Sequence, residues 1–184
     1  MDPSEVDFLS EEQMITILPN FREGRMYLIS GDLGPFEPGM PTEAPLWMAI
    51  NLKCRKKCRI VAPDWMNVEQ LREKRDEAKE MEYFTKMPNE CYLEMTSLLL
   101  NSARDDIPHA NEVQNLVKDI WEIRMAKMRK SMNIMVQEKE THARLDNLTR
   151  MEINTVRPFL TSSLNHMHKL RCYVAEHPRT GTGY

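Results

Sequence analysis

The sequence contains no apolar run approaching the roughly 20 residues that a helix needs to cross a bilayer, so a membrane-spanning helix is not expected. Its amino terminus, MDPSEVDFLSEE, is acidic where a secretory leader would be basic and then apolar, and an intracellular protein is expected. Cysteine is sparse. The four present (Cys54, Cys58, Cys91 and Cys172) are too scattered for a disulfide framework and are expected to be free thiols. Glycine is also sparse, and the one cluster, GDLGPFEPG, has neither the G-x-G-x-x-G order nor a Gly-Lys-Ser/Thr to cradle phosphates; it reads as turns. No G-x-S-x-G nucleophile elbow and no H-E-x-x-H zinc helix occurs. Nor is there a large excess of either charge: 28 acidic against 25 basic residues leave a net −3, which gives no global attraction to nucleic acid or anionic lipid. On these absences neither a catalytic residue nor a cofactor nor a metal is expected, and the chain is read as not an enzyme.

What is present is an ordinary globular composition, 41% hydrophobic and 29% charged over 184 residues, enough for one domain or two small ones. Fifteen methionines are an excess, and methionine suits irregular packing and adaptable protein interfaces.

The texture changes near residue 62. Before it, proline and glycine punctuate short β-prone runs. Strands are expected near 13–18 and 25–30, a short third strand within GDLGPFEPG, a helix over 45–56 with Pro45 in its first turn, and a closing strand CRIV. After it, helical periods dominate. Helices are expected over 64–82, started by Asp64 as cap, over 89–103, over 109–140, and finally from the Thr149–Glu152 capping-box spacing to about 171. The terminal VAEHPRTGTGY has no apolar period. The expected fold is therefore mostly α: a small N-terminal β-rich (α/β) domain, 1–62, then a larger all-α helical domain, 63–174, and a disordered tail, 175–184. A unit of the size of 1–62 is marginal for an independent core and is expected to dock against something else.

Two stretches carry candidate contacts. In the helix over 109–140, Val113, Leu116, Val117, Ile120 and Ile123 form one stripe, and Trp121, Met125, Met128, Met132 and Met135 form a second. Together they cover more than one face, as in a helix buried in its own domain or one shared with another subunit. Trp121, Met125, Met128 and Met132 are the candidate interface residues. The other stretch, LKCRKKCRI, gathers Lys53, Arg55, Lys56, Lys57 and Arg59 into a basic contact patch. It suits an acidic protein surface or phosphates, and a small nucleic-acid-binding protein is the alternative function. No aromatic residues interleave with these cations to stack bases, and cations near a helix C-terminus are also favoured by its dipole. Cys54 and Cys58 offer half a zinc site, but His166 and His168, two apart on a helix, point about 200° from each other and cannot complete it.

Three strings carry a resemblance: LISGDLGPFEPGMPTEAPLWMAINLKCRKKCRIVAPDWM, DIPHANEVQNLVKDIWEIRMAKMRKS, and HARLDNLTRMEIN followed by RPFLTSSLNHMHKL. In order and without large gaps, over about residues 8–171, they resemble the Psf-two family of subunits of the eukaryotic GINS complex. The resemblance implies a B-type domain before an A-type helical domain, in a heterotetramer with three other GINS subunits. It further implies a non-catalytic scaffold, without an ATPase motif, that joins the MCM motor hexamer and the cell-division-cycle forty-five protein in the replicative DNA helicase (the CMG complex). Such a protein acts in the nucleus, in initiation and elongation of chromosomal DNA replication, with DNA contact through the assembly and no membrane. The segment 117–131 would correspond to a helix that packs in the tetramer core. The family pattern does not require both cysteines of KCRKKCRI.

Overall fold

The computed structural model describes residues 3–29, 31–138 and 146–176. A short helix, α1 (Pro3–Ser10), leads into β1 (Met14–Pro19), whose alternation turns Ile15 and Ile17 inward. β1 is the middle of a three-stranded antiparallel sheet, between β4 (Thr42–Pro45) and β5 (Cys58–Ile60). Ile15 faces Ala44 and Ile17 faces Ile60 across it, so the buried side chains come from matched positions. β2 (Met26–Leu28) and β3 (Gly31–Leu33) form a separate hairpin. The expected third strand thus lies on Gly-Asp-Leu at the front of GDLGPFEPG, and Phe36 beyond it is fully buried and bridges to Glu23. Gly34, at φ +92°, is needed there: a Cβ would sit 3.2 Å from the Phe36 ring.

α2 (Leu46–Cys54) lays Leu46 and Ala49 on the sheet. Pro45 ends β4 and stands at the N-cap, one residue before the place expected for it in the first turn. Two elements had no forecast in the sequence, α1 and β4, because an eight-residue acidic segment and a proline-flanked TEAP carry little periodicity.

Beyond residue 62, Asp64–Met66 is a single 3₁₀ turn, and the long charged helix α3 (Val68–Glu80) begins only afterwards. Its cap is Asn67, whose side chain accepts the Glu69 N–H at 3.3 Å, and not Asp64, which makes no capping bond. α4 (Tyr92–Ser102), α5 (Ala110–Glu138) and α6 (Arg150–Glu176) complete the bundle. The Thr149–Glu152 capping box forms as expected: Glu152 accepts the Thr149 N–H at 2.8 Å, and Thr149 Oγ1 accepts the Glu152 N–H at 3.4 Å. Of the expected tail, Ala175 and Glu176 continue α6, and 177–184 lie outside the described residues.

The buried side chains run without a break across residue 62. One cluster joins Ile15, Ile17, Leu46 and Ile60 of the sheet unit to Leu71, Met95, Leu99 and Ile120 of the helices. α1 also packs on α4 and α6, burying Val6 and Ser10. A second, smaller cluster gathers Phe84, Met125, Met128, Met132 and Val156 between α5, α6 and the segment after α3.

Candidate interaction surfaces

The basic stretch is built by a helix end and a reversal. α2 stops at Cys54, Lys56 takes a left-handed conformation at φ 56°, and the chain returns as β5. The five cations do not share one environment. Lys53 is half-buried and donates to Asp106 Oδ2 at 2.6 Å, and the same oxygen accepts the Ile60 N–H at 2.9 Å. Burial would raise the Asp106 pKa, but the bonds from Lys53 and Ile60 and the charges of Lys53 and Arg59 outweigh it and hold the carboxyl below its usual range. Lys57 Nζ lies 5.6 Å from the centre of the Phe21 ring. Arg55, Lys56 and Arg59 are exposed, Arg59 reaching no closer than 3.8 Å to Asp106. The expected patch of five is therefore four exposed cations, one of them, Lys57, over a ring, and a fifth, Lys53, fastening the sheet unit to the helices.

The cysteines of this stretch point apart in function. Cys54 is exposed, whereas Cys58 is buried with Sγ 3.7 Å from the Ala49 carbonyl oxygen, and burial pushes its thiol up to about 11. Among the described residues no group of three or more His, Cys, Asp or Glu side chains is placed to hold a metal ion.

The methionine stripe sits where α5 meets α6. Met125, Met128 and Met132 are 8%, 1% and 9% exposed, and Trp121 is half-buried against the same cluster. The side chain of Met135 lies outside the described residues. Beside them is an apolar cleft of about 290 Å³, lined by Met125, Met128, Met132, Val156 and Phe159. Phe159 itself is exposed, and further along α6 Leu164 and Leu170 are exposed as well.

A buried ion pair lies beside this stripe. Arg124 is 1% exposed and grips Glu152 at 2.5 and 2.9 Å, and it also donates to the carbonyls of Thr85 and Asn147, each at 2.8 Å. Its guanidinium lies 5.5 Å from the Phe84 ring centre. Four hydrogen bonds, two of them to a carboxylate, are what make this buried charge tolerable. The available signal was position: Arg124 falls between Trp121 and Met125 on the apolar side of a helix, where a cation needs a partner. Nearby, Glu94 on α4 is buried with neither carboxylate oxygen hydrogen-bonded, and burial, then Asp7 and Glu152, raise its pKa.

The architecture is that of a helical bundle fronted by a small antiparallel sheet unit, with apolar helical surface left open. Residues 65–171 match the family model for the GINS complex protein helical bundle domain, and residues 2–61 match that for the PSF2 N-terminal domain. The chain is 57% identical to the human DNA replication complex GINS protein PSF2, over 93% of this chain and 92% of the human one. It is 55% identical to the Xenopus laevis protein of the same name, over 98% and 97%, and 43% identical to a probable Drosophila melanogaster counterpart, over 99% and 86%. The chain belongs to the PSF2 family of GINS complex proteins.

Proposed function

We propose that this chain is a non-catalytic scaffold subunit of a four-subunit GINS complex in chromosomal DNA replication, acting in the nucleus. In this reading it joins the MCM motor hexamer and the cell-division-cycle forty-five protein in the replicative helicase, and no bond is made or broken by its own residues. The observation that carries the reading is the exposure of the large apolar side chains Phe159, Leu164 and Leu170 on α6, Phe159 also lining the methionine-walled cleft against α5. An obligate interface resembles a domain core cut in half, and flexible methionines adapt such a cleft to a neighbour's side chains. Met125, Met128 and Met132 then serve two contacts, their bodies holding α5 to α6 and their remaining edges lining the cleft, while Trp121 packs against the same cluster.

The experiment is co-expression with the three sister subunits followed by native mass measurement. A one-to-one-to-one-to-one complex is expected. A chain that stays monomeric, compact and without affinity for a hydrophobic dye overturns the reading. The alternative of a nucleic-acid-binding protein rests on the basic stretch. Lys53 is occupied by Asp106, which leaves Arg55, Lys56, Lys57 and Arg59 exposed for phosphates.

A further inference from the structure

α5 has a second open surface on the side away from the methionine-lined cleft. Lys127, Lys130, Ser131 and Ile134 follow at intervals of three and four, and they are offset by two residues from Met125, Met128, Arg129 and Met132. Two residues are about 200° of helical rotation, so the two sets lie on nearly opposite faces. The first set, with the end of α3 and the segment that follows it, encloses a groove of about 550 Å³. Its apolar contributors Met81, Tyr83 and Ile134 are 38%, 59% and 38% exposed. Its cations are Lys79, Lys127 and Lys130.

None of these three lysines has a carboxylate partner among the described residues. Lys127 donates to the Met81 carbonyl oxygen and to nothing else among them. Its pKa is held below the usual lysine range by burial and then by the charge of Arg124, whose own carboxylate, Glu152, is consumed on the far side. An added carboxylate would meet an under-neutralised cation in a half-desolvated place, where charge-assisted hydrogen bonds are strongest.

We propose that this groove docks a short acidic segment of a partner protein, with an apolar side chain seated between Tyr83 and Ile134 and carboxylates on Lys127 and Lys130. The volume falls within the range of ordinary ligand sites and suits a few side chains. Glu80 and Glu82 also line it, and they repel a continuous polyanion while leaving room for carboxylates spaced to miss them. That favours a peptide over a nucleic acid, as does the single exposed aromatic ring, since strand binding uses several. The inference stands apart from the scaffold reading, because it concerns a different face of α5.

The test is fluorescence anisotropy with a labelled twelve-residue peptide of Asp and Glu flanking one Leu and one Phe, titrated with the full chain alone and with the chain co-purified with its sister subunits. Saturable binding to both is expected. Lys130→Glu, an exposed position that leaves the fold alone, should weaken it about tenfold, and Ile134→Ala should weaken it severalfold. Lys118→Glu, elsewhere on α5 and outside the groove, should change nothing. Equal binding of a peptide with Ala in place of Leu and Phe, displacement by an oligothymidine at physiological salt, or indifference to Lys130→Glu would each overturn the proposal. So would binding to the lone chain but not to the complex, which would make the groove a contact between subunits.

Discussion

Lys53 Nζ and Asp106 Oδ2 lie 2.6 Å apart across the seam between the sheet unit and the helical bundle. The Asp106 side chain is 5% exposed and also receives the Ile60 N–H, so one carboxylate fixes both the end of α2 and the edge strand β5. Replacing it should be felt in the docking of the whole sheet unit, because two buried donors lose their acceptor together.

Asp106→Asn is expected to lower stability by about 1–3 kcal/mol at neutral pH, the usual cost of leaving a buried donor poorly satisfied. The native pKa lies below the ordinary value, so this stabilisation is present above about pH 3.9 and is lost as pH falls through the native pKa. Urea unfolding of wild type and variant across the acid range checks it. The gap should close at the acid end, and a gap independent of pH refutes the assignment.

Arg55, Lys56 and Arg59, replaced together by alanine, should leave stability within about 0.5 kcal/mol of wild type, since all three are exposed. Lys53→Ala alone should cost more than the triple change. Thermal unfolding of the two variants side by side decides this, and equal melting temperatures would mean that Lys53 is no different from its neighbours.

Arg124→Met should destabilise by about 3–5 kcal/mol, because Glu152 is left charged and buried at 0% exposure. Adding Glu152→Gln, which keeps the capping box but removes the charge, should recover part of the loss. Chemical denaturation of both single variants and the double variant measures the coupling, and strictly additive losses would show that the two side chains do not act as a pair.

Glu94 predicts the opposite pH trend to Asp106. Its native pKa is raised, so the folded state loses stability as pH rises from about 4.3 through the native value. Asp7 on α1 and Glu152 and Arg150 on α6 surround the site. Glu94→Gln should match wild type in acid and exceed it at neutral pH, by denaturant midpoint. A variant weaker than wild type at neutral pH would mean that the charged form is stabilised.

Cys54 and Cys172 should alkylate readily in the native chain, whereas Cys58 and Cys91 should wait for unfolding. Cys58 is doubly protected, by burial and by a thiol pKa of about 11 that leaves little thiolate near neutrality. Mass spectrometry after a short pulse of iodoacetamide reads all four. Fast labelling of Cys58 would mean that β5 opens easily from α2.

Much of the fold could be read along the chain. The apolar period of α5 and the capping box that starts α6 are local signals, carried by residues three and four apart, and both are realised. The start of α3 was misplaced because Pro63-Asp64 and Asn67 are both sound local starts, and only packing chooses between them: Met66 goes into the core and takes the preceding turn with it.

The candidate surfaces were less legible. LKCRKKCRI displays five cations with equal weight, yet what half-buries Lys53 in a 2.6 Å bond is Asp106, 53 positions on. Nothing local in the sequence pairs Arg124 with Glu152, 28 positions later, which the fold brings beside it.

The sequence by itself determined what repeats within a turn or two of chain: the β-rich start, the long helices, the capping box that opens α6, the methionine stripe, and the family to which these strings belong. The tertiary structure alone decided which charges are partnered, that the sheet unit and the bundle share one core, and which faces of α5 and α6 stay open. Helical and strand periods arise from local backbone geometry, whereas partnership and exposure depend on which distant surfaces the folded chain brings into contact.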